Sequence, residues 1–75
     1  MDRTAQVNWI NQLAADTFDN CHVTLEDYTE HDYTVEDYIQ DLKGEAEADL
    51  RAQPWYTDHD ENLLYAALKR LVKGD

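Results

Sequence analysis

Lysine and arginine are scarce in this chain. Six face 17 aspartates and glutamates, giving a formal charge of −11 and a sequence pI near 4.3. A phosphate backbone is recruited by Lys and Arg, so the balance excludes direct nucleic-acid binding. It equally excludes attraction to an anionic membrane surface. Cys21 is the one cysteine and has no partner for an internal disulfide, so a reducing, cytoplasmic setting is expected. Two glycines and one proline leave little material for hairpins and favour helices joined by short connections. No apolar run approaches the roughly 20 residues needed to span a bilayer. Met1-Asp2-Arg3-Thr4 lacks the charged-then-apolar layout of a signal peptide. There is no nucleophile elbow, glycine-rich phosphate loop or His-Glu metal helix. A non-enzymatic protein without a cofactor is therefore expected.

Apolar content is ample: 43% of residues are hydrophobic, with two Trp, five Tyr and one Phe. Acidic disordered tails lack such residues, so residues 1–75 should fold as a single acidic helical domain. A domain of this size buries only about 60% of the surface its unfolded chain exposes, and its core is marginal.

Three stretches carry helical periodicity. In residues 3–19, Val7, Ile10, Ala14 and Phe18 recur at spacings of three and four, with Asp2 or Thr4 as a cap and Asn20 as a stop that tolerates left-handed backbone. In residues 35–51, Val35, Ile39, Leu42, Ala46 and Leu50 form a stripe with Tyr38 beside it. Gly44 interrupts that stripe and marks a bend or a close approach, and Gln53-Pro54 ends it. In residues 59–73, Leu63, Leu64, Ala67, Leu68, Leu71 and Val72 make a broad arc behind a Thr57 or Asp58 cap, with acids at its start and bases at its end. Trp55 and Tyr56 should plug the gap between the second and third of these helices. The expected fold is an all-α, three-helix bundle.

Residues 21–33 admit a strand by alternation, but a lone strand leaves its backbone groups unpaired. An irregular connection or an extra short helical turn around residues 24–33 is the preferred reading. Thr24-Leu25-Glu26-Asp27-Tyr28 recurs ten residues later as Thr34-Val35-Glu36-Asp37-Tyr38. Each copy places Thr at an N-cap and Asp at the third helical position, a variant of the capping box.

The charge is uneven. Residues 1–42 hold ten acids and one base, Arg3, a net −9, whereas residues 43–75 hold seven acids and five bases, a net −2. Between Thr4 and Leu42 there is no Lys or Arg. Asp37, Asp41, Glu45 and Asp49 form one row at i, i+4 spacing. Each such like-charge pair costs about 0.2–0.5 kcal/mol, so folding does not require the row. Solubility or adaptation to a salty interior would explain it plainly. A partner with a basic groove explains it more sharply.

The leading expectation is a non-enzymatic acidic inhibitor or decoy. It would bind a basic nucleic-acid-binding protein, such as a nuclease or a defence complex, by phosphate mimicry. Small phage- or plasmid-encoded counter-defence proteins work this way in the host cytosol; the analogy is one of charge and size, with no motif behind it. Candidate contacts are Glu26, Asp27, Glu30, Asp32, Glu36, Asp37, Asp41 and Glu45, with Tyr28 and Tyr33 as anchors. The alternative is a small helical interaction or regulatory module, open to homodimerisation, anchored by Trp9, Trp55, Tyr56 and Tyr65. In that case the acids serve solubility or salt adaptation.

Metal chemistry finds no support. His22, His31 and His59 match no zinc spacing. Asp58-His59-Asp60-Glu61-Asn62 starts like a calcium loop, but Leu63 stands where glycine is needed and Lys69 where the closing glutamate belongs. Cys21 beside His22 does not make a thiolate, since a negative field raises a thiol pKa.

Overall fold

The three long apolar stripes become the three long helices. A computed structural model describes residues 2–74. Four helices follow one another: α1 (Arg3–Asp19), α2 (Leu25–Glu30), α3 (Val35–Arg51) and α4 (Asp58–Lys73). No strand occurs among the described residues. α1, α3 and α4 pack against one another, and α2 packs on α3, so the architecture is a small helical bundle.

The core forms where the stripes meet. α1 contributes Ile10 and Ala14, α3 contributes Tyr38, Ile39, Leu42, Ala46 and Leu50, and α4 contributes Leu64, Ala67 and Leu68. α2 buries no residue completely. Trp55, in the connection before α4, reaches past the two helices it joins and meets Trp9 of α1 edge-on, ring centroids 5.5 Å apart. Its role is wider than filling the gap between α3 and α4.

Both copies of the repeated pentapeptide start a helix. Thr24 Oγ1 accepts from the Asp27 amide (3.3 Å), and Asp27 returns a carboxylate oxygen to the Thr24 amide (3.2 Å). The same exchange joins Thr34 and Asp37 at 3.1 and 2.9 Å. These boxes satisfy amides that a helix start leaves orphaned. The tyrosines that end the two copies, Tyr28 and Tyr38, pack edge-on at 4.9 Å. The repeat is therefore what locks α2 onto α3.

Two glycine and cap expectations change. Gly44 lies in continuous helix, and a Cβ built there would meet nothing within 4 Å, so no neighbour approaches closely at that point. Asn20 caps α1, but with φ −93° and ψ 0° it does not use the left-handed region. That conformation falls to Asp32 (φ 65°) and to Gly74 (φ 76°). Asp32 closes α2: its amide donates to Thr29 O (3.3 Å) and the Tyr33 amide to Tyr28 O (2.9 Å). This is a Schellman pair of bonds, and such closures carry a contact between the residue after the turn and the last helical turn. Here that contact is Tyr33 against Tyr28, centroids 5.6 Å apart.

Candidate functional site

Four of the six bases pair with acids on one side of the molecule. Lys73 binds Glu36 at 3.2 Å. Arg51 binds Glu47 at 3.4 Å and donates its Nε to Glu61 at 2.8 Å. Lys43 reaches Glu47 at 3.9 Å. Arg3 binds Asp60 at 2.6 Å. Every one of these acids lies on α4 or on the part of α3 that these basic side chains reach. Arg51 holds the Glu61 carboxyl below the usual carboxylate range.

Asp60 is the surprise among them. It has no solvent exposure, although its place in the first turn of α4 reads as that of a surface cap acid. Arg3, 57 positions away in sequence, holds its carboxyl below the usual range despite the cost of burial, and the Thr57 amide, 3.1 Å from Oδ2, adds to this. A buried charge requires such partners.

The opposite side of α3 carries no such compensation. Among the described residues, Asp16, Asp27, Asp37, Asp41, Glu45 and Asp49 form no ion pair with a lysine or arginine. Two surface depressions show how they group. One, of about 530 Å³ between α2 and α3, is lined by Val23, Asp27, Tyr28, His31, Tyr33 and Asp41. The other, of about 350 Å³ between α1 and α3, is lined by Leu13, Asp16, Thr17, Asn20, Glu45 and Asp49. The 41-45-49 segment of the row is thus the ridge between them, and each depression adds a carboxylate from a neighbouring helix.

Hydrogen bonds fix parts of this surface. The Tyr28 hydroxyl donates to Asp41 Oδ2. That bond, with burial and the nearby charge of Asp41, pushes the Tyr28 phenol up to about 12. Tyr38 donates to the Val23 carbonyl at 3.0 Å, and burial, followed by contact with Cys21, pushes it to about 12 as well. Cys21 is half-buried, its Sγ donating to that same carbonyl at 3.2 Å. Gln12 donates to Asp16 at 2.9 Å.

The structure sorts the candidate contacts. Asp27, Tyr28, Tyr33 and Asp41 come together in one depression, and Glu45 lines the other. Asp37 continues the row, although one of its oxygens serves the Thr34 cap. Glu36 does not join them. It is turned to α4, where the Tyr65 hydroxyl and Lys73 hold its carboxyl below the usual range, Tyr65 contributing most. Glu26, Glu30 and Asp32 are exposed but line neither depression. Asp16, Asp49, Val23 and His31 enter the site without having been among the candidates. Asp49 continues the i, i+4 row and was legible. Asp16, which begins the Lys/Arg-free acidic stretch, is brought beside Glu45 and Asp49 by the packing of α1 on α3.

No group of three or more His, Cys, Asp or Glu side chains among the described residues is placed to hold a metal ion. No helix among them is long and apolar enough to cross a membrane. Comparison with known protein families, with curated proteins and with solved structures finds no match for this chain.

Proposed function

We propose that this chain is an acidic decoy that occupies the nucleic-acid groove of a basic protein, in the manner of phage- and plasmid-encoded counter-defence inhibitors. The observation that carries the reading is the division of charge. Four of the six bases, Arg3, Lys43, Arg51 and Lys73, pair with Glu36, Glu47, Asp60 and Glu61. Among the described residues none pairs with the 41-45-49 ridge, which is left uncompensated between two further carboxylates. A helix rises about 1.5 Å per residue, so the row from Asp37 to Asp49 runs about 18 Å. One strand of duplex DNA places a charge every ~3.4 Å. The row alone is sparser by about half, and Asp27 and Asp16 on its flanks thicken the field. Such a face attracts a cationic cleft over long range and speeds encounter.

The competing interaction-module reading has fewer anchors than its sequence offered. Trp9 and Trp55 pack on each other, and the Tyr65 hydroxyl is engaged by Glu36.

The test is displacement. Labelled duplex DNA is bound to each of a panel of purified nucleases and DNA-binding proteins, and this chain is titrated in. The proposal expects release from at least one of them, with an apparent affinity that falls as salt rises. It also expects the Asp41→Asn/Glu45→Gln/Asp49→Asn variant to be roughly tenfold weaker, since exposed charge contacts contribute about 0.2–1 kcal/mol each. Release that ignores salt and the triple substitution, or no release from any member, rejects the proposal.

A further inference from the structure

Resting on that reading, we propose that the depression between α2 and α3 is a seat for one arginine side chain of the basic partner. Four observations converge on it. Its walls combine aromatic and apolar surface with carboxylates: Tyr33 keeps 57% and Val23 44% of their surface exposed, next to Asp27 and Asp41. Large exposed apolar groups beside unpaired acids have no role in the core. The two tyrosine rings are set at 56° to each other with centroids 5.6 Å apart, an open V rather than a closed stack.

Both carboxylates are also held in place without being neutralised. Asp27 gives Oδ2 to the Thr24 amide, and Asp41 gives Oδ2 to the Tyr28 hydroxyl. Neither has a lysine or arginine partner among the described residues. Finally, the Schellman closure at Asp32 fixes Tyr33 against Tyr28, so the aromatic wall is in position before any partner arrives.

Charge complementarity selects a cation, and the mixture of walls selects its kind. A guanidinium is planar, stacks on aromatic faces, pairs with carboxylates through a fork of donors and is weakly hydrated. An ammonium is a compact, strongly hydrated point charge. An acidic surface that merely attracted positive charge would need neither the exposed valine nor the part of Tyr33 that stays open to solvent beyond its contact with Tyr28.

The experiment uses the intact chain and two probes, N-acetyl-arginine amide and N-acetyl-lysine amide, titrated at low salt and followed by NMR. The proposal expects saturable shifts at Tyr28, Tyr33, Asp27 and Asp41 with arginine, and weaker binding of lysine. Tyr33→Ala should weaken arginine binding about 2- to 5-fold, the range a lost exposed cation–π contact gives. Tyr33 also closes α2 against Tyr28, so Tyr33→Leu, which keeps an apolar contact there without an aromatic face, should weaken arginine binding alike, and thermal unfolding checks that both variants fold. Equal binding of both probes, or shifts spread over all the acids without saturation, overturns the seat. Its failure is separable from failure of the decoy reading. If DNA displacement is unchanged in Tyr33→Ala but weakened in Glu45→Gln/Asp49→Asn, which leaves both carboxylates of the seat in place, the seat is wrong and the acidic face stands. If arginine saturates the depression but no DNA is displaced from any basic protein, the seat stands and the decoy does not.

Discussion

Replacing Glu45 by glutamine should make the protein more stable, and salt should erase the gain. Glu45 is exposed and sits one helical turn from Asp41 on one side and from Asp49 on the other. It forms no ion pair among the described residues. Each like-charge pair at this spacing costs about 0.2–0.5 kcal/mol, so removing two of them returns about 0.4–1 kcal/mol. Glu and Gln have nearly equal helix propensity, and nothing else offsets the change. In a domain this small, 1 kcal/mol shifts Tm by roughly 4–8 °C, which places the expected rise at about 2–8 °C. Thermal unfolding followed by circular dichroism at ~10 mM and ~1 M salt is the assay, since the screening length falls from ~30 Å to ~3 Å between them. Glu47→Gln is the matched control. Glu47 forms ion pairs with Lys43 and Arg51, so its loss should cost about 0.3–1 kcal/mol at low salt. The reasoning is refuted if Glu45→Gln leaves Tm unchanged or lowers it in dilute buffer, or if its gain is the same in molar salt.

Asp60→Asn should destabilise by about 1–2 kcal/mol at neutral pH, the worth of a charge-assisted hydrogen bond reduced because Arg3 is half-exposed. Because the folded state holds the Asp60 carboxyl below its ordinary value, its contribution is present above the unfolded pKa of about 4 and is lost as pH falls through the lower, folded value. The gap between wild type and Asp60→Asn in denaturant unfolding should accordingly close towards low pH; a gap that persists there contradicts the assignment. Gly44→Ala should stabilise by about 1 kcal/mol, because the added methyl meets open space and the helix gains a better former; a loss in urea midpoint counts against the packing described here. Leu68→Ala empties a fully buried position and should cost about 2–5 kcal/mol. That is a large share of the roughly 4–11 kcal/mol typical of this length, and a drop in urea midpoint of under 1 kcal/mol equivalent disagrees with Leu68 being core.

The long helices were legible because each combines a stripe at helical spacing with a start signal. The spans expected at 3–19 and 35–51 match α1 and α3, and the span at 59–73 begins one residue late. The repeated Thr-x-x-Asp-Tyr showed where α2 and α3 begin, since a capping box is local chemistry. Its consequence, Tyr28 packing on Tyr38, is not local and was invisible. The end of α2 was hidden for a different reason: the left-handed position is filled by Asp32 instead of the glycine that usually announces it. Asp60 shows the same limit more sharply. An acid in a first helical turn reads as exposed, and only the arrival of Arg3 from the far end of the chain explains its burial. Glu36 and Asp37 are neighbours in sequence, yet Glu36 turns to Lys73 and Tyr65 while Asp37 stays in the row. About 100° of helical rotation separates them, and which side of α3 would face α4 was set by packing.

The division of charge itself can be measured without any partner. Paired nitroxide probes, one cationic and one neutral, report local potential through the difference in their relaxation effects on each amide. The account predicts the strongest cation excess at Asp41, Glu45, Asp49 and Asp16, and little or none around Lys69 and Arg70 of α4. An excess spread evenly over the molecule, or centred on Glu36 and Glu61, would contradict it.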